Sequence, residues 1–298
     1  MTALLISLAT LGLGAPPENP VFRQLVDTGA PAGGDRFVKI APPTMPDGLD
    51  ADAQHELIRR IAGPTRRIDT LMRNSIVAPF VLKIGRADSE DGSAPVRTVD
   101  VWFVAYGNLD QFVSEDFLDR MVKEAESDQK SKLPLTKGLL DDKQMQQRNL
   151  AVADTDDRRQ HYCYSTFALF DRVLISATRQ IVVTRQEDSV LLASIVDPRF
   201  TQDADYPNRW QSIAWDEYGK HTLGPSHDYV SAGFYAKVTR LEEPADALLI
   251  EHHHVFAEPE GWFHGKNLLR SKLPLVVQDA VRKLRRKLRE KKAPTASP

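Results

Sequence analysis

The 298-residue chain has a single cysteine, Cys163, so no intramolecular disulfide can form and the fold must close on packing alone. It has no excess of either charge: 39 Lys and Arg stand against 41 Asp and Glu, a net of −2 with histidine neutral. No apolar run is long enough to cross a bilayer, yet hydrophobic residues make up 42% of the chain. Together these features exclude a polytopic membrane protein, a collagen, a disulfide-knotted miniprotein and a chain disordered from end to end. Signatures of catalysis are missing too. There is no Gly-x-Ser-x-Gly nucleophile elbow, no Gly-x4-Gly-Lys-Ser/Thr phosphate loop and no His-Glu-x-x-His zinc helix.

What is present begins with an apolar stretch, Ala3 to Leu13, followed by Gly14-Ala15-Pro16-Pro17. Its length is that of the hydrophobic region of an export signal, although the first basic residue is Arg23. The expected organisation is a signal peptide over 1–15, a Pro/Gly-rich leader over 16–50, one α+β domain over 51–292 and a disordered tail over 293–298. The expected location is therefore periplasmic or extracellular.

Within the domain, Asp50 precedes a helical stretch that Gly63-Pro64 should interrupt, with Arg66 to Arg73 resuming it. Residues 77–84 and 96–106 read as a hairpin, with Val99, Val101, Phe103 and Ala105 on one strand face. Phe112, Phe117, Met121 and Val122 recur at helical spacing. From Arg159 onward, strand follows strand: 162–170, 173–184, 189–196, 229–239 and 247–256, about seven in all and antiparallel by their short separators. A helix from Pro274 to about Lys291 closes the chain, with Val277, Val281, Leu284 and Leu288 forming one apolar stripe. The fold class is α+β: a curved antiparallel sheet packed on a long C-terminal amphipathic helix, with additional helices. This order of elements resembles the START-like, or helix-grip, superfamily. The resemblance implies a cavity between sheet and last helix that holds an apolar or lipid-like ligand.

Three clusters could carry chemistry. In Glu251-His252-His253-His254, strand alternation sends His252 and His254 to one face and Glu251 with His253 to the other. Two imidazoles so placed could hold a divalent metal, with Glu258 as a further ligand. The spacing from His252 to Glu258 and Gly265 matches the second half of the first cupin motif, but Asp246 stands where that motif needs glycine. Trp262, Phe263 and His264 lie where strand yields to helix; they either seat that helix or form the rim of a ligand cavity. Finally, residues 266–292 hold eleven Lys/Arg and two Asp/Glu. Such a helix could meet an anionic membrane surface. Nucleic acid is not expected, because no aromatics interleave the basic residues and no recognised module surrounds them. The leading expectation is a non-catalytic binding protein for an apolar small molecule. Its alternatives are a metal-dependent enzyme centred on His252 and His254, and a membrane-surface protein using the basic helix.

Overall fold

A computed structural model describes residues 18–32, 36–87, 95–114, 133, 136–229, 232–259, 262 and 268–290. The strands are β1 (Ala30–Pro31), β2 (Phe37–Val38), β3 (Val81–Ala87), β4 (Val96–Tyr106), β5 (Lys137–Leu139), β6 (Arg158–Leu169), β7 (Val173–Arg185), β8 (Ser189–Val196), β9 (Arg209–Trp215), β10 (His221–Leu223), β11 (His227–Asp228), β12 (Ala232–Arg240) and β13 (Ala247–Ala257). β1 and β2 pair with each other; the remaining eleven form one antiparallel sheet among the described residues. Its main path runs β10-β9-β7-β8-β12-β13-β4-β3, with β6 on the other edge of β7, β5 on β6 and β11 on β9. The α+β class and the C-terminal helix match expectation, but the sheet has eleven strands rather than about seven. The four extra ones are β5, β9, β10 and β11. Three of these have two or three residues, too few for a period-2 pattern to register.

Local chemistry explains the boundaries. The Asp50 side chain accepts the Ala53 N–H at 2.9 Å and caps the helix Ala51–Ala62, which ends at Gly63 with φ 76°. β6 and β7 join through Phe170 and Asp171, both at positive φ, the backbone that lets a tight turn follow the twist of its strands. β8 and β9 share one edge of β7, and the seam between them falls at Thr178. Buried Asn208 closes it: its Oδ1 accepts the Thr178 N–H at 2.8 Å and its Nδ2 donates to the Asp197 carbonyl at 2.7 Å. The helical spacing around Phe117 and Met121 falls outside the described residues.

Both faces of the sheet are covered. On the outer face, Val182, Leu191, Ala193, Ile195, Tyr235 and Val255 meet Val21, Leu25 and Ile40. Trp102, Val104 and Leu249 meet Met45, Ile58 and Leu71. Thus the stretch read as a Pro/Gly-rich leader contributes buried side chains. Gly233 permits a close approach, since a Cβ there would sit 2.4 Å from Leu25 Cδ2. On the inner face, Val99, Val101, Phe103, Val183, Val238 and Ile250 pack against Val281 and Leu288 of the C-terminal helix.

That helix spans Leu268–Glu290 with Pro274 inside it. It starts earlier than Pro274 because Leu269, 2% exposed, is already anchored against Trp262, Val173 and Ile175. Such packing offsets the roughly 3 kcal/mol that an interior proline costs. At its other end Arg285, 3% exposed, fixes the helix to the sheet. Nε donates to the Val104 carbonyl at 2.9 Å, and the remaining nitrogens donate to the carbonyls of Ile76, Ala78 and Pro79. The guanidinium also lies 5.5 Å from the centre of the Phe103 ring. Burial pulls it down to about 10, which leaves it charged at neutral pH. Arg285→Met keeps the aliphatic contacts and orphans the carbonyls. It is expected to cost about 3 kcal/mol in urea unfolding; a loss under about 1 kcal/mol would show that Arg285 does not hold the helix.

Candidate functional site

The inner face alternates apolar residues along each strand, and the alternation is broken in one region. On β7 the inward series is Val173, Ile175, Ala177, Arg179, Ile181, Val183; on β8 it is Val190, Leu192, Ser194, Val196. On β13 it is Leu248, Ile250, His252, His254, Phe256. Register brings the interruptions together: Ile181 faces Ser194, Ser194 faces Phe234, and Phe234 faces His254. Arg179, Ser194, His252 and His254 therefore form a polar island within an apolar face.

His252 and His254 are half-buried, with ring centres 4.2 Å apart. Phe234 lies against both, at 5.2 and 5.0 Å. Burial, helped by the neighbouring His253, pushes the His252 imidazole down to about 4. Burial also holds His254 well below its ordinary value, reinforced by His252 and Arg179. Both rings are thus neutral at pH 7, each with one ring nitrogen that donates and one that accepts. Among the described residues no group of three His, Cys, Asp or Glu side chains is placed to hold a metal. Glu258 does not turn to the histidines: it pairs with Arg97 of β4, with which it makes a short hydrogen bond. Trp262 is 2% exposed and packs with Trp210, Tyr229 and Phe256 at 5.7–6.4 Å, where it seats the start of the helix. Phe263 and His264 lie outside the described residues. Cys163 is buried on β6.

On the outer face, sequence reasoning placed Glu251 and His253 correctly but missed what they do. Glu251 is fully buried; its two oxygens accept the main-chain N–H groups of Thr44 at 2.7 Å and Met45 at 2.9 Å, and the Trp102 indole N–H at 3.1 Å. Lys237 donates to the Met45 carbonyl at 2.7 Å and pairs with Asp47 at 2.9 Å. His253 Nδ1 sits 2.8 Å from Asp100 and Nε2 3.6 Å from Glu251. Burial opposes charge on Glu251, but His253 and the two main-chain donors lower its pKa overall. Burial likewise opposes charge on His253, while Asp100 and Glu251 raise it. This cluster straps residues 44–47 over the sheet, with each charge facing an opposite charge or a main-chain donor. Arg179 and Ser194 were missed as candidate site residues. The available signal was an arginine at an inward position of an otherwise apolar strand.

Three consecutive histidines should therefore titrate apart. Nuclear magnetic resonance of the ring protons is expected to place His252 near pH 4, His254 also on the acid side, and His253 above the ordinary value of about 6.5. From pH 6.5 down to 4 the unfolded chain takes up protons at 252 and 254 that the folded chain refuses, so these two remove stability on acidification. His253 has the opposite sign: its contribution is complete below about 6.5 and is lost as pH rises through its raised folded value. His252→Gln should make the acid-side fall in melting temperature shallower. An unchanged acid limb would show that His252 is not held neutral.

No family model matches the chain, and no curated protein matches it. Solved structures to which it is similar include human STARD10, at 10% identity and TM-score 0.31, over 66% of this chain and 72% of that one. CalU16 from Micromonospora echinospora is similar at 9% identity and TM-score 0.22, over 70% of this chain and 98% of that one. Likeness at these scores carries no inference about ligand or chemistry, which rest on the inner-face residues themselves.

Proposed function

We propose that the protein is a non-catalytic binding protein that holds an apolar small molecule against the inner face of its sheet, beside the C-terminal helix. The observation that supports this reading is the uneven closure of that face. Val99, Val101, Phe103, Val183 and Val238 are at most 5% exposed. In the same sheet Ile181, Leu192, Phe234, Ala236 and Phe256 are only half-buried, around His252 and His254. Protein interiors are close-packed, so an apolar strip under a helix that keeps part of its surface open is suited to a guest. Neutral imidazoles add hydrogen-bonding capacity without the cost of burying charge. The element order, with a long last helix laid on an antiparallel sheet, agrees with the helix-grip resemblance.

The reading is tested by titrating the purified protein with Nile red, a neutral apolar fluorophore. Saturable binding at one site is expected. Ala236→Trp, which fills the strip from its centre, is expected to weaken it at least tenfold, about 1.4 kcal/mol, with the fold retained by circular dichroism. Non-saturable binding, or equal affinity in the filled variant, would overturn the proposal.

A further inference from the structure

Several buried or half-buried arginines have a carboxylate or several main-chain carbonyls as partners. Arg285 has four main-chain carbonyls, Arg97 has Glu258, Arg148 has Asp203 and Asp205, and Arg185 has Asp110. Arg179 is different. It stands at an inner-face position of β7, between Cys163 of β6 and Val196 of β8. Among the described residues its one hydrogen bond is from Nη2 to the Ser165 hydroxyl at 2.7 Å. Its Nε is buried without an acceptor, and no carboxylate lies within ion-pairing distance among the described residues. A half-buried guanidinium with a single neutral partner is a cost that folding alone does not explain.

Its surroundings point the same way. Ser194, 0% exposed, has a hydroxyl with no hydrogen-bond partner, one strand away on the same face. The positive field of Arg179 reaches His254 and Tyr229. A divalent cation seated on the two histidines would be repelled by that field; an anion would gain from it, and neutral imidazole and hydroxyl groups can donate hydrogen bonds to an anion. Around these groups lie Ile181, Leu192, Phe234 and Phe256, which suit hydrocarbon.

We infer that the ligand of the inner face is an apolar acid, a hydrocarbon body ending in one carboxylate, and that Arg179 supplies its missing counter-charge. This inference rests on the proposed ligand site and specifies its chemistry. The test compares a fluorescent long-chain fatty acid with its methyl ester, two probes with the same apolar body. The acid is expected to bind at least tenfold more tightly than the ester. Arg179→Gln should bring the acid down to the affinity of the ester while leaving the ester unchanged, a loss of ten- to a hundredfold for a hydrogen bond to a charged group. Arg179→Lys, which keeps the charge, should restore part of the preference. Equal binding of acid and ester by the unaltered protein would overturn the anchor and leave the apolar site standing. Failure of both probes to bind saturably would overturn the site, and the anchor with it. Because the first comparison uses the unaltered protein, it decides the matter even if a variant does not fold.

Discussion

A wide antiparallel sheet can stay in water only if both faces are covered, and the helix covering the inner face is held by one desolvated cation. Among the described residues Arg285 has no carboxylate partner. It is tolerated because it satisfies the carbonyls of Ile76, Ala78 and Pro79, where the chain enters edge strand β3, together with that of Val104 inside β4. Those carbonyls need a donor as much as the guanidinium needs acceptors, so each offsets the desolvation of the other. With that end fixed and Leu269 seated on Trp262 at the other, the orientation of the helix is determined. Val281 and Leu288 then fall on the β4 and β13 side chains, and the part of the inner face bearing His252 and His254 is left less tightly closed.

The outer face follows the same principle with the opposite charge. Glu251 is buried between strands and would be prohibitive alone. The N–H groups of Thr44 and Met45 reach it, and so an extended stretch with little regular structure is bound across the sheet. Lys237, Asp47, His253 and Asp100 complete a network in which each charge has an opposite neighbour. Removing one member of such a network costs more than its own bond, because it leaves a buried charge exposed to nothing that can screen it.

Much of the architecture was legible in residue order. Asp50 and Gly63-Pro64 bounded a helix by capping chemistry that acts locally. The long strands showed in the alternation of Val99 to Ala105 and in the runs around β7 and β8. The short strands β5, β10 and β11 were not legible, since two or three residues become a strand only through a partner elsewhere. The start of the last helix was misplaced because Pro274 is a strong local signal, whereas the contact of Leu269 with Trp262 is tertiary. Of the site, the facing of His252 and His254 followed from period-2 geometry. Glu258, read as their companion, lies against Arg97, 161 residues earlier, which competes for its carboxylate. Arg179 was written in the sequence as one charge in an apolar series, but its meaning depends on whether a counter-charge is opposite, which only the register of three strands decides.

That distinction separates scaffold from site throughout the molecule. Buried polarity is common in both faces, so its presence alone says nothing about function. What differs is closure. Around Glu251 each charge has an opposite charge or a main-chain donor beside it. Around Arg179 and Ser194 the count is short: a cation, a hydroxyl and two neutral imidazoles share one apolar surface with no anion beside them among the described residues. His252 and His253 are adjacent in sequence, differ in direction by one strand step, and are pushed to opposite sides of their ordinary value. The outer one lies between the Asp100 and Glu251 carboxylates, which favour its charged form. The inner one is kept neutral on the face where Arg179 has no carboxylate partner among the described residues, and in the proposed reading this deficit of negative charge, more than any cavity shape, gives that face its preference for an acid.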